Sequence, residues 1–251
     1  MIASVLSVCY NKNIIILTKR GVFLSRFPYL LFDADDTLLD FERNGARAFT
    51  MLCAKYQFPC TDESREIYES FNQPLWRDLE RGIITKEYLK VERFRRFLDY
   101  LNRSEDPAVV NQDFLHFLGS SSFLMPHAEE VCRALSENHE LYILTNSVES
   151  VHVNRMEQSM LRPYVKASFI SESIGYEKPN KYYFEEVFHQ IPGITKENCL
   201  LIGDSLSSDM QGGINFGIPV CWYNFRKIDF PSTLPIDYII HDLRELLPLV
   251  G

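Results

Sequence analysis

From Leu141 onward, short apolar runs alternate with stretches whose apolar residues recur at helical spacing. The runs fall at residues 141–145, 168–170, 199–202, 218–223 and 238–240, and an earlier one, Tyr29-Leu30-Leu31-Phe32, opens the pattern. Short strands separated by helical stretches imply crossover connections, and hence a parallel sheet. Near-continuous apolarity predicts strands covered on both faces. The fold class expected is α/β, a doubly wound parallel sheet of Rossmann-like type, in which ligands bind beyond the carboxyl ends of the strands. Asp33, Thr145 and Asp204 each stand at such an end.

Residues 42–122 break the alternation with helical patterns and no strand. Phe94, Phe97, Leu98 and Leu101 share one helix face. Asp106-Pro107 predicts a capped helix start, and Gly119 its close. Pro74 predicts a break, with one helix ending near Phe71 and Asn72 capping the next. The expected organisation is a catalytic core of residues 29–41 and 123–251, a helical cap domain of residues 42–122, and an N-terminal extension of residues 1–28. A lobe inserted just after the first strand is placed to gate a site.

A chain of 251 residues can bury a core with a smaller lobe. Its net charge of −8 opposes nucleic-acid binding, and no segment approaches the length of a membrane span. The six cysteines (Cys9, Cys53, Cys60, Cys132, Cys199, Cys221) contain no Cys-x-x-Cys pair and read as reduced, as in a cytoplasmic protein. No histidine pair stands at metal-ligand spacing on a helix. Residues 1–28 have no acid but carry Lys12, Lys19, Arg20 and Arg26. Their basic residues follow the first apolar stretch, the wrong order for a secretory signal. They read as a strand or hairpin added at the sheet edge, or as a start placed too early.

Candidate chemistry begins where the first run ends, in Asp33-Ala34-Asp35-Asp36-Thr37. Crowded carboxylates repel one another, so such a cluster needs a cation. The pattern returns where Cys199-Leu200-Leu201-Ile202 enters Gly203-Asp204-Ser205-Leu206-Ser207-Ser208-Asp209. Between them lie Tyr142-Ile143-Leu144-Thr145-Asn146 and Lys178-Pro179. In this order the motifs resemble the haloacid dehalogenase-like phosphohydrolase superfamily, over residues 29 to about 250. Oxygen ligands without Cys or His point to a single Mg²⁺.

Two-step hydrolysis of a phosphate monoester needs a nucleophile, an acid that later serves as base, and positive charge on the phosphoryl oxygens. The resemblance implies that Asp33 attacks phosphorus to form an aspartyl-phosphate. Asp35 then protonates the leaving oxygen and activates water. Asp36 serves the turn. Thr145 and the Asn146 backbone amide bind the phosphoryl group, although Ser147 replaces a glycine common in relatives. Lys178 neutralises phosphate and restrains the nucleophile. Asp33 and Asp204 ligate the metal, with Asp35 contributing its backbone carbonyl and Asp209 acting through water or by holding Lys178. Gly203, Gly212 and Gly213 suit tight turns and close packing.

Phe71-Asn72-Gln73-Pro74-Leu75-Trp76 and Gly82-Ile83-Ile84-Thr85 resemble the pyrimidine 5'-nucleotidase branch, as do Phe32-Asp33-Ala34-Asp35-Asp36-Thr37-Leu38 and Gly212-Gly213-Ile214-Asn215. The implied substrates are pyrimidine nucleoside 5'-monophosphates of the dUMP, UMP and dTMP type, small phosphate esters. A pyrimidine needs a stacking plane and amide partners, and Phe41, Asn72, Gln73 and Trp76 supply those types. The same core also suits sugar phosphates or acylneuraminate phosphate. A phosphonate hydrolase would need a Schiff-base lysine, for which Lys55, Lys86 and Lys90 are poorly set. A catalytically silent binding module is the alternative outside enzymes.

Overall fold

A computed structural model describes residues 7–10, 13–18, 21–229 and 233–251. Strands β1 (Ser7–Tyr10), β2 (Asn13–Thr18) and β3 (Gly21–Ser25) form an antiparallel sheet of their own, in the order β1-β2-β3. This corrects the expectation of a hairpin on the edge of the main sheet. Only Arg26, Phe27 and Pro28 separate β3 from β4 (Tyr29–Phe32), and β4 lies in the sheet interior, between β5 (Glu140–Thr145) and β7 (Cys199–Gly203). The four Cα–Cα steps from Ser25 to Tyr29 span at most about 14 Å, which leaves no slack for reaching a strand added beyond the nearer edge, roughly 14 Å from β4, and falls short of the farther edge.

The six-stranded sheet is parallel throughout, in the order β6-β5-β4-β7-β8-β9, where β6 is Val165–Ile170, β8 Val220–Tyr223 and β9 Tyr238–Ile240. The interior strands carry no polar face because both faces are covered: Leu30, Leu31, Phe32 and all of β7 are buried. In register, Phe32 stands opposite Ile143 and Ile202. Asp33 is therefore level with Leu144 and Gly203, and Thr145 and Asp204 lie one step further along.

The chain divides into two compact units, one of them being residues 1–40, 124–147 and 160–251. The other holds Phe41–Phe123 together with Val148–Ser159. Its helices are α1 (Phe41–Tyr56), α2 (Asp62–Glu80), α3 (Lys86–Tyr100), α4 (Pro107–Leu118) and, after α5 (Ala128–Leu135) of the sheet unit, α6 (Glu149–Glu157). The sequence pattern left residues 148–159 with the core. In the structure Val148 and Val151 join the cluster of Phe49, Leu52, Phe114 and Leu118, and Gln158 donates to the Gly119 carbonyl at 3.0 Å.

Asp106 caps α4 as expected, accepting from the Ala108 amide at 2.8 Å. Pro74 does not end a helix: α2 runs unbroken from Asp62 to Glu80. The lost hydrogen bond and ring clash cost roughly 3 kcal/mol. They are offset because Tyr68, Asn72, Leu75 and Leu79 form one buried stripe across the proline, which a break would disrupt. Thr61 caps this helix, not Asn72.

Within α3, Glu92 is bonded to Arg95 at 2.6 Å and Arg96 at 2.8 Å. The Arg95 hydrogen bond is the main cause holding its carboxyl down at about 2. A depressed acid stabilises the fold above its unfolded value of about 4.3, and that contribution is lost as pH falls toward 2. In chemical denaturation, the stability gap between wild type and Glu92→Gln is expected to be constant above about pH 5 and to shrink between pH 4 and 2. A gap independent of pH would refute this.

The remaining helices, α7 (Ser171–Ile174), α8 (Lys181–Gln190), α9 (Gln211–Phe216) and α10 (Leu246–Val250), belong to the sheet unit. Tyr183, Phe184 and Val187 of α8 pack with Leu31, Leu201 and Trp222 of the sheet. Among the described residues, no helix is long and apolar enough to cross a membrane.

Candidate active site

Lys178 enters the sheet unit between α7 and α8 and is 1% exposed. Its ammonium donates to Asp33 Oδ1 at 2.6 Å, Asp209 Oδ1 at 2.7 Å and the Leu144 carbonyl at 2.6 Å, which uses its full donor complement. One side chain thus ties together the ends of β4, β5 and β7. Burial works against its charge, but Asp209 and Asp33 outweigh that and raise Lys178 above the ordinary lysine range. It is a fixed cation.

Asp33, Asp204 and Asp209 each offer a carboxylate oxygen, and these oxygens lie within 4.8 Å of one another. Burial pushes Asp33 up to about 8; Lys178 opposes the rise, while Asp209 and Asp35 add to it. Burial likewise lifts Asp204 well above the carboxylate range, reinforced by Asp33, Asp209 and Asp36. Asp33 and Asp209 are buried and Asp204 partly so, and three carboxylates this close carry more negative charge than the Lys178 ammonium and the looser Arg226 contact offset at modest cost, so a further cation suits the site. The all-oxygen donor set fits a hard ion such as Mg²⁺.

Asp35, partly exposed, is outside this three-carboxylate group, and its charge acts on Asp33. Its turn is fastened by the Leu38 and Leu39 amides on the Ala34 carbonyl (3.0 and 2.8 Å) and the Asp36 amide on the Leu39 carbonyl (2.7 Å). Asp36 adopts φ 58°, the left-handed conformation that Asp tolerates better than most residues. Asp209, in the π-helical turn Leu206–Met210, is fully buried and also accepts from the Ser205 amide at 3.2 Å. A β-carbon on Gly203 would sit 2.3 Å from Asp209 Oδ2. On Gly213 it would meet Val220 at 2.4 Å, and on Gly212 Phe184 at 2.8 Å. All three glycines serve close packing; none of them needs a positive φ.

Thr145 is buried, and its hydroxyl oxygen accepts from the Ser147 amide at 3.0 Å, leaving the hydroxyl proton to be donated elsewhere. The Asn146 side chain faces Lys178: its amide donates to the Lys178 carbonyl and its oxygen accepts from the Lys178 amide, both at 2.9 Å. Asn146 therefore positions the lysine loop through its side chain.

Asn72 and Trp76 belong to the helical unit. Asn72 is buried there, accepting from Arg93 at 3.4 Å and donating to Glu69 at 3.1 Å. Partly buried Trp76 packs on Leu75, Leu79 and Leu89. Phe41 is likewise partly buried against the helical cluster, and Gln73 is exposed.

Two residues were missed from the sequence. Trp222 donates its indole N–H to the Asp204 carbonyl at 2.8 Å, and Arg226 reaches Asp36 Oδ2 at 2.8 Å and Asp204 Oδ2 at 3.5 Å. The signal available was their place: Trp222 stands near the carboxyl end of β8 and Arg226 follows that strand, on the side where the catalytic strand ends lie.

Comparison with known proteins identifies relatives along most of the chain. The family model for haloacid dehalogenase-like hydrolases matches residues 28–217. The HAD-hydrolase YfnB of Bacillus subtilis is 37% identical over 91% of this chain and 97% of its own length. A crystal structure of YfnB bound to magnesium superposes with a TM-score of 0.85 at 35% identity, covering 90% of this chain and 99% of that one. Pyrimidine 5'-nucleotidase PynA of Streptococcus pneumoniae is 33% identical over 88% of this chain and 94% of its own length. Pyrimidine 5'-nucleotidase YjjG of Escherichia coli is 30% identical over 90% and 98%. The chain belongs to the haloacid dehalogenase-like hydrolase family.

Proposed function

We propose that the protein is a cytoplasmic Mg²⁺-dependent phosphatase that hydrolyses pyrimidine nucleoside 5'-monophosphates through an aspartyl-phosphate on Asp33. The observation that carries this reading is the three-point seating of Lys178, which fixes one oxygen of Asp33 and leaves Oδ2 for attack on phosphorus. As the P–O bond to the nucleoside breaks, Asp35 gives its proton to the departing oxygen. Asp35 then takes a proton from water, whose oxygen attacks the phosphoryl-aspartate and releases phosphate. Thr145 donates its hydroxyl proton to a phosphoryl oxygen, alongside the Asn146 backbone amide. Asp33, Asp204, the Asp35 carbonyl and, through water, Asp209 would hold Mg²⁺, which supplies the charge that lets two anions approach.

The pyrimidine preference is supported by the names of PynA and YjjG and by the α2 segment that carries Trp76. Trp76 is the proposed stacking partner of the base. Asn72, with its amide engaged by Arg93 and Glu69, would serve by shaping that surface.

A panel of dUMP, UMP, dTMP, sugar phosphates and acylneuraminate phosphate, assayed with and without Mg²⁺, tests this reading. Metal-dependent phosphate release with highest kcat/KM on the pyrimidine nucleotides is expected; a sugar phosphate at the top of the ranking would reject the substrate assignment. Trp76→Ala should lower kcat/KM for dUMP about 3- to 10-fold more than for an aryl phosphate, the range of a lost stacking contact. Equal losses would remove Trp76 from the substrate site.

A further inference from the structure

Among the described residues, two cations answer Asp33, Asp36, Asp204 and Asp209 beyond β4 and β7. Lys178 serves Asp33 and Asp209, and Arg226 serves Asp204 and Asp36. The two cations differ in freedom. The Lys178 side chain is 1% exposed and that of Arg226 is 45% exposed. Arg226 nevertheless has a built seat. Its guanidinium lies 4.2 Å above the Phe225 ring, which packs on Tyr223 at 5.3 Å between centroids, and Asp36 anchors it from the β4 turn.

This seat spans three loops. Arg226 comes from beyond β8, Asp36 from beyond β4 and Asp204 from beyond β7. The contacts are graded: 2.8 Å to Asp36 and 3.5 Å to Asp204. A guanidinium bonded mainly to Asp36 and only loosely to Asp204 can neutralise Asp204 without occupying it. It also leaves a positive charge beside a carboxylate that a divalent ion would use.

We propose that Arg226 is a positioning residue that sets the affinity of the site for its divalent cation. It balances Asp204 when no ion is held and opposes the ion electrostatically when one binds, so that the site exchanges the metal instead of trapping it. This inference rests on the Mg²⁺-dependent reading of the acidic group. An ordinary surface ion pair would leave metal binding untouched.

Isothermal titration of the full-length protein with MgCl₂ decides the matter without reference to turnover. Removing the positive charge that stands 3.5 Å from Asp204 Oδ2 should tighten binding, so the Kd of Arg226→Gln is expected to fall about 5- to 10-fold. Arg226→Lys, which keeps the charge, should stay within about twofold of wild type. Circular dichroism of both variants should match wild type, since the side chain is nearly half exposed. An Arg226→Gln Kd equal to or weaker than that of wild type overturns the proposal while leaving the Mg²⁺ site standing. If wild type takes up no Mg²⁺, the metal reading falls and this inference falls with it.

Discussion

Asp33→Asn is expected to reduce Mg²⁺-dependent phosphate release from dUMP by at least about ten-thousand-fold, the scale on which an enzyme loses its covalent nucleophile. The substitution preserves shape and one acceptor oxygen, so Lys178 can keep its bond to position 33 and the fold should survive. What disappears is the anionic oxygen on the free side of the carboxyl, since a neutral amide does not attack phosphorus. Phosphate release measured with dUMP and with an aryl phosphate should collapse together, because the loss precedes any discrimination between leaving groups. A folded variant retaining more than about a tenth of wild-type activity would show that Asp33 is not the nucleophile.

Lys178→Met is expected to cost both activity and stability. Methionine matches the lysine stem in volume but offers nothing to Asp33, Asp209 or the Leu144 carbonyl, all of which Lys178 bonds within 2.7 Å. Breaking a buried ion pair by removing one partner costs about 3–5 kcal/mol, because the remaining charge stays desolvated. At roughly 2–4 °C per kcal/mol for a chain of this size, the apparent Tm should fall by roughly 10 °C. The ties between the ends of β4, β5 and β7 would be lost with it, so phosphate release should drop by about a hundredfold or more. A Lys178→Met protein melting within about 2 °C of wild type would mean that the lysine is not the buried strap described above.

The strand pattern was legible because a strand covered on both faces must be apolar along its length, and residues 29–32, 141–144 and 199–202 are. Their carboxyl ends could therefore be located, and with them Asp33, Thr145 and Asp204. Helix signals were legible where they were local, as at Asp106-Pro107. They misled at Pro74, where the gain that outweighs the local defect lies in the stripe from Tyr68 to Leu79, a tertiary quantity. The placement of residues 148–159 was hidden for a similar reason, since Val148 and Val151 read as apolar without naming the cluster they join. The N-terminal strands could be anticipated, but not that β3 is joined to an interior strand with no slack for reaching a sheet edge.

By itself the sequence determined the parallel α/β class, the helical insertion and the residue types of a phosphoryl-transfer site, because each depends on periodicity or on acids placed at strand ends. Only the tertiary structure decided that Asp209 bonds Lys178 directly, that the Asn146 side chain turns to the lysine loop, and that Arg226 reaches Asp36 and Asp204. Those contacts join residues from 22 positions apart (Arg226 to Asp204) to 190 apart (Arg226 to Asp36). Side-chain direction and burial over such separations arise from packing and strand register, which no local stretch of the chain encodes.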